Sequence, residues 1–255
     1  MKLRRLDSTA LDKVWGSPQT APWYPPSSRK IGEVWFHAPE EPRLLLKFIF
    51  TSDKLSVQVH PPDAPDGTPG KTEMWHILCA GPGARLALGF TRSLTQIEVR
   101  QAALSGEIEN LLRWYEVQPG DIFFVPAGTV HAIGAGIVLC EIQQYSDITY
   151  RLYDYGRPRE LHLDAALAVA QLNSHPGPAR FPVECPYFHT ESLEVTADTP
   201  YTIGPQAEYL VCLEGSGSFD AQPFAPGEVW IAPHGGDAFT IRPHTPAGFL
   251  HTYVP

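Results

Sequence analysis

A spaced set of glycine, proline and histidine residues constrains the fold of this chain more than any other feature. From Gly120 to His131 the sequence follows the pattern G-x5-P-x-G-x2-H. Residues 227–238 repeat this pattern near the end of the chain, with Ala238 in the place of His131. Glycine supplies the turns and proline cannot continue a central strand, so each copy predicts a β-hairpin. Two copies predict two related β-domains, with the chemistry confined to the first.

Length and composition are those of a globular protein. The 255 residues are enough for two modest domains, and 43% of them are hydrophobic. The net charge of −9 argues against binding to nucleic acid or to an anionic membrane surface. It also means that an anionic substrate needs a local basic pocket. The 26 prolines and 21 glycines favour many turns and short strands, as in an antiparallel sandwich or barrel.

Cysteine usage and the chain ends predict a cytoplasmic protein. The four cysteines are scattered without a C-x-x-C motif and lie mostly in apolar runs, which predicts reduced, buried thiols. The N-terminal Met-Lys-Leu-Arg-Arg has no apolar segment of the kind that a signal peptide requires. No run of about 18 apolar residues is present, so we expect no membrane-spanning segment.

The pattern of turns and apolar runs predicts a division of the chain into four parts. We expect an irregular N-terminal arm at 1–30, a metal-binding catalytic domain at 31–172, a linker at 173–180 and a metal-free domain at 181–255. A short helical insertion at about 94–114 is predicted within the first domain. It would open with the capping box Thr95-x-x-Glu98, and a second helix would run from Glu107 to Trp114. The Ala- and Leu-rich stretch 163–172 predicts a third helix.

Four potential metal ligands are predicted to converge, because side chains alternate between the two faces of a strand. Strand periodicity puts Gln58 and His60 on one face, Glu73 opens the next strand and His131 follows the Gly-Pro-Gly motif. Two imidazoles with oxygen ligands suit zinc or another divalent first-row metal. The alternatives are a core histidine at position 131, an amide bonded to the sheet edge at Gln58 and a surface carboxylate at Glu73.

Two cationic residues interrupt otherwise strand-like segments. Arg151 follows Asp147 on a predicted strand, where a guanidinium near a divalent ion would stabilise an oxyanion or a phosphate. The alternative is a surface ion pair of Arg151 with Asp147 or Asp154. Lys47 lies within the apolar run 44–50, where lysine is rarely buried without a function, although an edge strand would let it reach solvent.

Taken together, these motifs resemble the type I mannose-6-phosphate isomerases (phosphomannose isomerases) of the cupin superfamily, in particular their short bacterial form. The resemblance is dense over about residues 10–165. Its motifs are Trp15-Gly16, Gly32-Glu33-Val34-Trp35, Leu44–Lys47, Leu55–Pro61, Gly70–Trp75, Val125–Gly134, Glu141–Gln144, Ser146-Asp147, Thr149–Arg151 and Tyr153-Asp154. The chain departs from the family at Pro62, which precedes Asp63, and at Tyr145, where asparagine is common.

The resemblance implies a mainly β fold of two tandem cupin (jelly-roll) domains with a few short helices. It also implies one zinc ion per chain, a small sugar phosphate as substrate, and a monomer or weak homodimer. The implied site residues are Gln58, His60, Glu73 and His131 as zinc ligands, Arg151 as the catalytic arginine, and Lys47 and Lys71 as substrate-binding lysines. The implied reaction interconverts mannose 6-phosphate and fructose 6-phosphate by proton transfer between C1 and C2, through an enediolate.

Three questions stay open at this stage. The general base could be a zinc-bound water, Glu141 or a lysine. A cupin dioxygenase is a second enzyme hypothesis, but it usually uses iron and carries His-x-His where this chain has Gln58 and His60. A non-catalytic sugar-binding or regulatory cupin is a third, and it predicts a degraded metal set or a lost arginine.

Overall fold

The computed structural model describes residues 2–39 and 41–255, and this part of the chain is built mainly of β-strands. In chain order the elements are β1 (Arg4–Arg5), β2 (Ser8–Ser17), β3 (Ile31–Ala38), β4 (Glu41–Phe50), β5 (Val57–Val59), β6 (Glu73–Ala80), β7 (Arg85–Phe90), α1 (Gln96–Ser105), α2 (Ile108–Leu111), β8 (Leu112–Glu116), β9 (Ile122–Val125), β10 (His131–Ile133), β11 (Ile137–Gln144), β12 (Tyr150–Tyr153), α3 (Leu163–Val169), β13 (Val183–Glu184), β14 (His189–Val195), β15 (Thr199–Tyr201), β16 (Glu208–Glu214), β17 (Gly217–Phe219), β18 (Gln222–Phe224), β19 (Val229–Ala232), β20 (Phe239–Pro243) and β21 (Ala247–Tyr253).

The two halves of the chain repeat one sheet topology. In the first half, a large sheet contains the strand order β9-β6-β11-β4-β3, and a small sheet contains β5-β10-β7-β8. The second half gives the same orders, β19-β16-β21-β14-β13 and β15-β20-β17-β18. All the registered pairs are antiparallel, and each half has its own apolar core between its two sheets. The predicted fold of two tandem cupin domains is confirmed. The boundaries proposed for the domains and the linker stay predictions.

Alternation along β4 explains how the halves join and why Lys47 lies inside. Phe48 and Phe50 point to one face, where they pack with Tyr209 and Val211 from the large sheet of the second half. Lys47 and Ile49 therefore point to the opposite face, into the interior of the first barrel. Both faces of the strand are buried, which is why its sequence is almost continuously apolar. The second half thus covers the outer face of the large sheet of the first.

Helices cover the other outer face of the first barrel. Residues of α1 and α3, including Val99 and Leu167, pack on the small sheet against Val57 and Ala132. The capping box at the start of α1 is present as predicted, with Thr95 and Glu98 bonded reciprocally. No helix within the described ranges has the length and apolar character needed to span a bilayer.

The second predicted helix, Glu107–Trp114, is wrong beyond Leu111. The chain turns there into β8, where Trp114 pairs with Ala87 and Tyr115 pairs with Leu86. Pairing with β7 outweighs the weak local helix preference of these aromatic residues. The third helix also ends earlier than predicted, at Val169.

The prediction that residues 1–30 are irregular is wrong for two segments. Ser8–Ser17 forms the edge strand β2 beside β3, and Arg4–Arg5 adds a short strand beside β19 of the second half. Both strands are largely exposed and show no regular apolar alternation, because ladder hydrogen bonds rather than buried side chains hold them. The N-terminus therefore ties the two halves together.

The cysteine prediction is confirmed in part. All four thiols are free, and Cys140 and Cys212 are buried. Cys185 is partly exposed and Cys79 is exposed, contrary to the prediction. Cys79 lies near the end of β6, where the register with β11 shifts and the alternation of buried positions is lost.

Candidate active site and metal centre

The Gly-Pro-Gly-His motif builds one wall of the site. Gly120 and Gly128 both have positive φ, of 93° and 87°, which glycine adopts without strain. Between them β9 ends at Val125, as the following proline requires. The chain then enters β10 at His131, whose side chain is buried.

Strand register places the predicted site residues in one row. In the small sheet, Gln58 of β5 pairs with His131 on one side and with Arg151 of β12 on the other. Directly paired residues project to the same face of an antiparallel sheet, so all three side chains point into the barrel. His60, two residues after Gln58, shares that face. Glu73 comes from the opposing large sheet, where it pairs with Val125 and Gln143.

His60, Glu73 and His131 converge as the sequence predicts. One ligand atom from each lies within 4.8 Å of the others, and all three side chains are buried. The Nε2 atoms of His60 and His131 lie 3.7 and 3.6 Å from the two carboxylate oxygens of Glu73. The alternative of a surface carboxylate at Glu73 is therefore wrong, and the role of His131 as a metal ligand stays a prediction.

Backbone contacts orient both imidazole rings. Nδ1 of His60 lies 2.8 Å from the carbonyl oxygen of Ile148, and Nδ1 of His131 lies 2.9 Å from that of Thr129. A carbonyl accepts only, so each Nδ1 carries its proton and each Nε2 offers a lone pair to the cluster. Burial is the main cause that lowers the pKa of His131 to about 4 and that of His60 well below its ordinary value. Both rings are neutral, as metal ligation requires.

A cationic group already occupies the space between these donors. Nζ of Lys71 lies 3.1 Å from Nε2 of His60 and 3.2 Å from Oε2 of Glu73. Neither oxygen of Glu73 has a well-aligned hydrogen bond, although both are buried. Burial, followed by the charge of Glu141, raises the pKa of Glu73 to about 8. The donor set therefore fits a bound cation, and two imidazoles with a carboxylate suit zinc.

Gln58 contacts the same cluster through its side-chain amide. In this orientation Nε2 lies 3.2 Å from Nε2 of His131, and Oε1 accepts from the hydroxyl of Ser56 at 3.0 Å. Rotation of the amide by half a turn would present Oε1 to the cluster, and oxygen is the amide atom that binds metals. The alternative of a bond to the sheet edge is not what the structure has, since Gln58 lies in the middle of the row.

A second buried carboxylate lies beside the first. Glu141 pairs with Lys47 across the large sheet, and their charged atoms are 3.1 Å apart. Glu141 also accepts from Nε1 of Trp75 at 2.9 Å. Burial opposes its ionisation, but the charges of Lys47 and Lys71 outweigh burial and lower the pKa of Glu141 to about 2. Lys47 is buried, with Nζ 4.8 Å from the ring centroid of Trp35, and does not reach solvent along an edge strand.

Arg151 lines the same cavity, which has a volume of about 290 Å³. Its Nη1 donates to the carbonyl oxygen of Glu160 at 2.7 Å, and its buried Nε has no hydrogen-bond partner. The predicted alternative, an ion pair with Asp147 or Asp154, is wrong, because the carboxylate of Asp154 instead holds two other arginines. The guanidinium of Arg151 therefore has donors left for a ligand.

Sequence reasoning placed none of four charged cavity-lining residues in the site: Lys13, Glu33, Asp147 and Arg159. Lys13 and Glu33 form an ion pair of 3.3 Å, and Arg159 lines the cavity together with Arg151. Lys13 lies on the edge strand β2, and Arg159 lies in a charged loop after β12. Neither segment has a periodic pattern that could have placed its side chains.

Comparisons with known proteins agree with this geometry. The chain is 35% identical to the mannose-6-phosphate isomerase ManA of Bacillus subtilis, in an alignment that covers 78% of this chain and 71% of that protein. The chain belongs to the type I mannose-6-phosphate isomerase family. No model of a protein family matches it.

Solved structures of other members share its fold. The crystal structure of the mannose 6-phosphate isomerase from Bacillus subtilis superposes with a TM-score of 0.86 at 25% identity, over the full length of both chains. A structure of a mannose 6-phosphate isomerase described as zinc-bound superposes with a TM-score of 0.75 at 16% identity, again over both full chains. At that identity the second likeness establishes the fold alone.

Strand register also identifies the residue of the second half that corresponds to Glu73. Glu208 pairs with Ala232, just as Glu73 pairs with Val125, and Ala232 and Val125 each precede the proline of the repeated motif. The second half therefore keeps a carboxylate, that of Glu208, at the place of Glu73.

In the second half, the residue that corresponds to His131 is not Ala238, as the sequence repeat predicts, but Phe239. Ala238 is exposed just before β20, and buried Phe239 begins that strand as His131 begins β10. Phe239 pairs with Tyr201, as His131 pairs with Gln58, and the two aromatic rings stack at 5.0 Å. The second loop is one residue longer, so an aromatic ring occupies the place of His131.

An imidazole supplies the positive charge in this second barrel. His251 lies within ion-pair distance of two carboxylates, with Nε2 3.2 Å from Glu208 and Nδ1 3.0 Å from Glu191. The hydroxyl of Tyr201 donates to Glu208 at 2.6 Å. Burial lowers the pKa of His251, but the two carboxylates outweigh burial and raise it above 6.5.

We predict that His251→Gln destabilises the protein more at about pH 6 than at about pH 9. The stabilisation from a raised histidine pKa is complete below the unfolded value and is lost as the pH rises through the folded value. The measurement is the thermal unfolding midpoint of wild type and variant at both pH values. His189→Gln is the control, because the carboxylates that His189 faces, those of Glu184 and Glu191, are far more exposed than that of Glu208. Equal losses at the two pH values would contradict the assignment.

Proposed function

We propose that the protein catalyses the interconversion of mannose 6-phosphate and fructose 6-phosphate. The observation that carries this proposal is the convergence of His60, Glu73 and His131, of which Glu73 lines a cavity that Lys71 and Arg151 also line. Neutral nitrogen ligands, a carboxylate and positive charge around one cavity suit a sugar phosphate whose carbonyl oxygen becomes negatively charged. The family membership supports the same reaction.

We propose zinc as the cofactor, held by His60, Glu73 and His131 with Gln58 as the fourth ligand. When bound, zinc would polarise the carbonyl group of the open-chain sugar. The donor set, the tautomers of the two rings and the ammonium of Lys71 among the ligands support a cation here. A relative described as zinc-bound supports this choice of metal.

The remaining cavity residues divide the chemistry between them. We propose that Glu141, kept ionised by Lys47 and Trp75, moves the proton between C2 and C1. Lys47 and Lys71 would contact the sugar oxygens near these carbons, because both lie deep in the barrel. Arg151, with a fixed positive charge and free donors, would stabilise the enediolate that forms after proton removal.

An isomerase assay with and without a chelator tests this function. We expect conversion of mannose 6-phosphate to fructose 6-phosphate by the zinc-supplemented protein. Chelation should abolish the activity and added Zn²⁺ should restore it, because the site cannot supply the charge of the metal by itself. Oxygen uptake measured in parallel tests for dioxygenase chemistry. The proposal fails if the zinc-supplemented protein converts no sugar phosphate.

We predict that Arg151→Ala lowers kcat by a factor of about 10²–10³, the loss typical of one donor to a developing anion. Metal content should stay normal, because Arg151 is not a ligand. Arg151→Lys should restore little activity, since lysine lacks the planar fork. Steady-state kinetics give the answer. A raised KM with unchanged kcat would assign Arg151 to ground-state binding instead.

A further inference from the structure

Arg159 is a cavity-lining residue whose orientation is fixed by a buried carboxylate. Its Nε and Nη2 donate to the two oxygens of Asp154, at 2.5 and 2.7 Å. The Asp154 side chain is only 2% exposed, so this two-point contact is shielded from solvent. The remaining N–H groups of Arg159 are not used by Asp154, and Arg159 lines the same cavity as Arg151.

Three guanidinium groups, those of Arg151, Arg157 and Arg159, lie close enough around Asp154 to repel one another. Asp154 pairs with Arg157 at 2.8 Å, and Arg157 has a second carboxylate, that of Asp53, at 3.7 Å. Arg151 is a third cation nearby, and its contact is with the carbonyl oxygen of Glu160 rather than with a carboxylate. Burial first, and then the charge of Arg159, lowers the pKa of Arg151. An anion bound here would relieve this repulsion.

The cations deeper in the barrel are already neutralised. Lys47 lies on Glu141 and Lys71 lies on Glu73, each within 3.2 Å. A phosphate dianion beside those lysines would face both carboxylates, whereas beside Arg151 and Arg159 it would face two guanidinium groups and the carboxylate of Asp147. The strands of His131 and Arg151 flank β5, so their backbones are about 10 Å apart at the usual strand spacing. That separation suits a substrate that reaches from the metal ligands to these guanidinium groups.

We propose that Arg159 binds the phosphate group of the substrate, through the guanidinium donors that Asp154 leaves free. The inference rests on the proposed function, because it assigns one end of the same substrate to Arg159. Asp154 acts as a positioning residue that fixes the plane of the guanidinium. Arg151 then lies between the phosphate and the metal ligands, where it can act on the reacting carbons.

Binding of a polyol phosphate to the zinc-supplemented protein tests the assignment without turnover. Glucitol 6-phosphate lacks a carbonyl group and cannot isomerise, and glucitol is the matched ligand without phosphate. In calorimetry, Arg159→Ala should weaken the binding of glucitol 6-phosphate by about 10–100-fold, the loss typical of a hydrogen bond to a charged group. Binding of glucitol should not change.

Arg157→Ala is the matched control variant. It removes the same charge from the same carboxylate, but Arg157 donates to the carbonyl oxygen of Lys54 and packs on the ring of Tyr155 instead of lining the cavity. Arg157→Ala should therefore keep most of the phosphate preference. Arg159→Ala should still fold, because Arg157 continues to neutralise Asp154. Arg159→Lys, which keeps the charge without the fork, should bind with intermediate affinity.

The outcomes separate this inference from the proposed function. Equal losses in Arg159→Ala and Arg157→Ala, no loss in Arg159→Ala, or no phosphate preference in the wild type would each overturn the phosphate assignment. If the protein is an active isomerase and gives any of these results, only the phosphate assignment is rejected and the proposed function stands. A phosphate preference that depends on Arg159 in a protein without isomerase activity would keep the assignment and reject the proposed function.

Discussion

The carboxylate of Glu73, fully buried inside the first barrel, is the constraint on which the rest of the site depends. A buried charge without a partner is costly by several kcal/mol, and no aligned hydrogen bond relieves this one. The ammonium of Lys71 lies against it, and the two neutral imidazoles point their lone pairs toward it. The second barrel meets the same constraint differently, with the imidazole of His251 beside Glu208. The proposed metal-ligand set and an imidazole–carboxylate pair thus occupy corresponding places in two copies of one fold.

Strand register converts this constraint into a cavity with defined walls. Gln58, His131 and Arg151 lie in one cross-strand row, and a slip of one residue in β5 would turn Gln58 and His60 to the outside. Such a slip is opposed on both outer faces of the barrel. Helices α1 and α3 pack on the small sheet, and the second half packs on the large sheet. The covering elements contribute none of the proposed metal ligands, but they hold the strands that carry them.

The sequence predicted the features that follow from periodicity. Alternation placed Gln58 and His60 on one face, and the Gly-Pro-Gly spacing placed His131 at the start of a strand. Features that depend on long-range pairing were not predicted. Strand β2 has no apolar pattern because the ladder to β3 holds it, and residues 112–116 form a strand only because β7 lies beside them. Arg159 lies in a loop whose path depends on Asp154, and the aromatic substitute for His131 became visible only through the register of β20.

Anomalous diffraction at the zinc absorption edge, from crystals of the zinc-supplemented protein, tests the central claim most directly. The account predicts one strong peak per chain, at about 2.0–2.2 Å from Nε2 of His60, Nε2 of His131 and a carboxylate oxygen of Glu73. The ammonium of Lys71 should then have moved away from His60. No peak at these three residues, or a peak of similar height beside Glu208 in the second half, would contradict it.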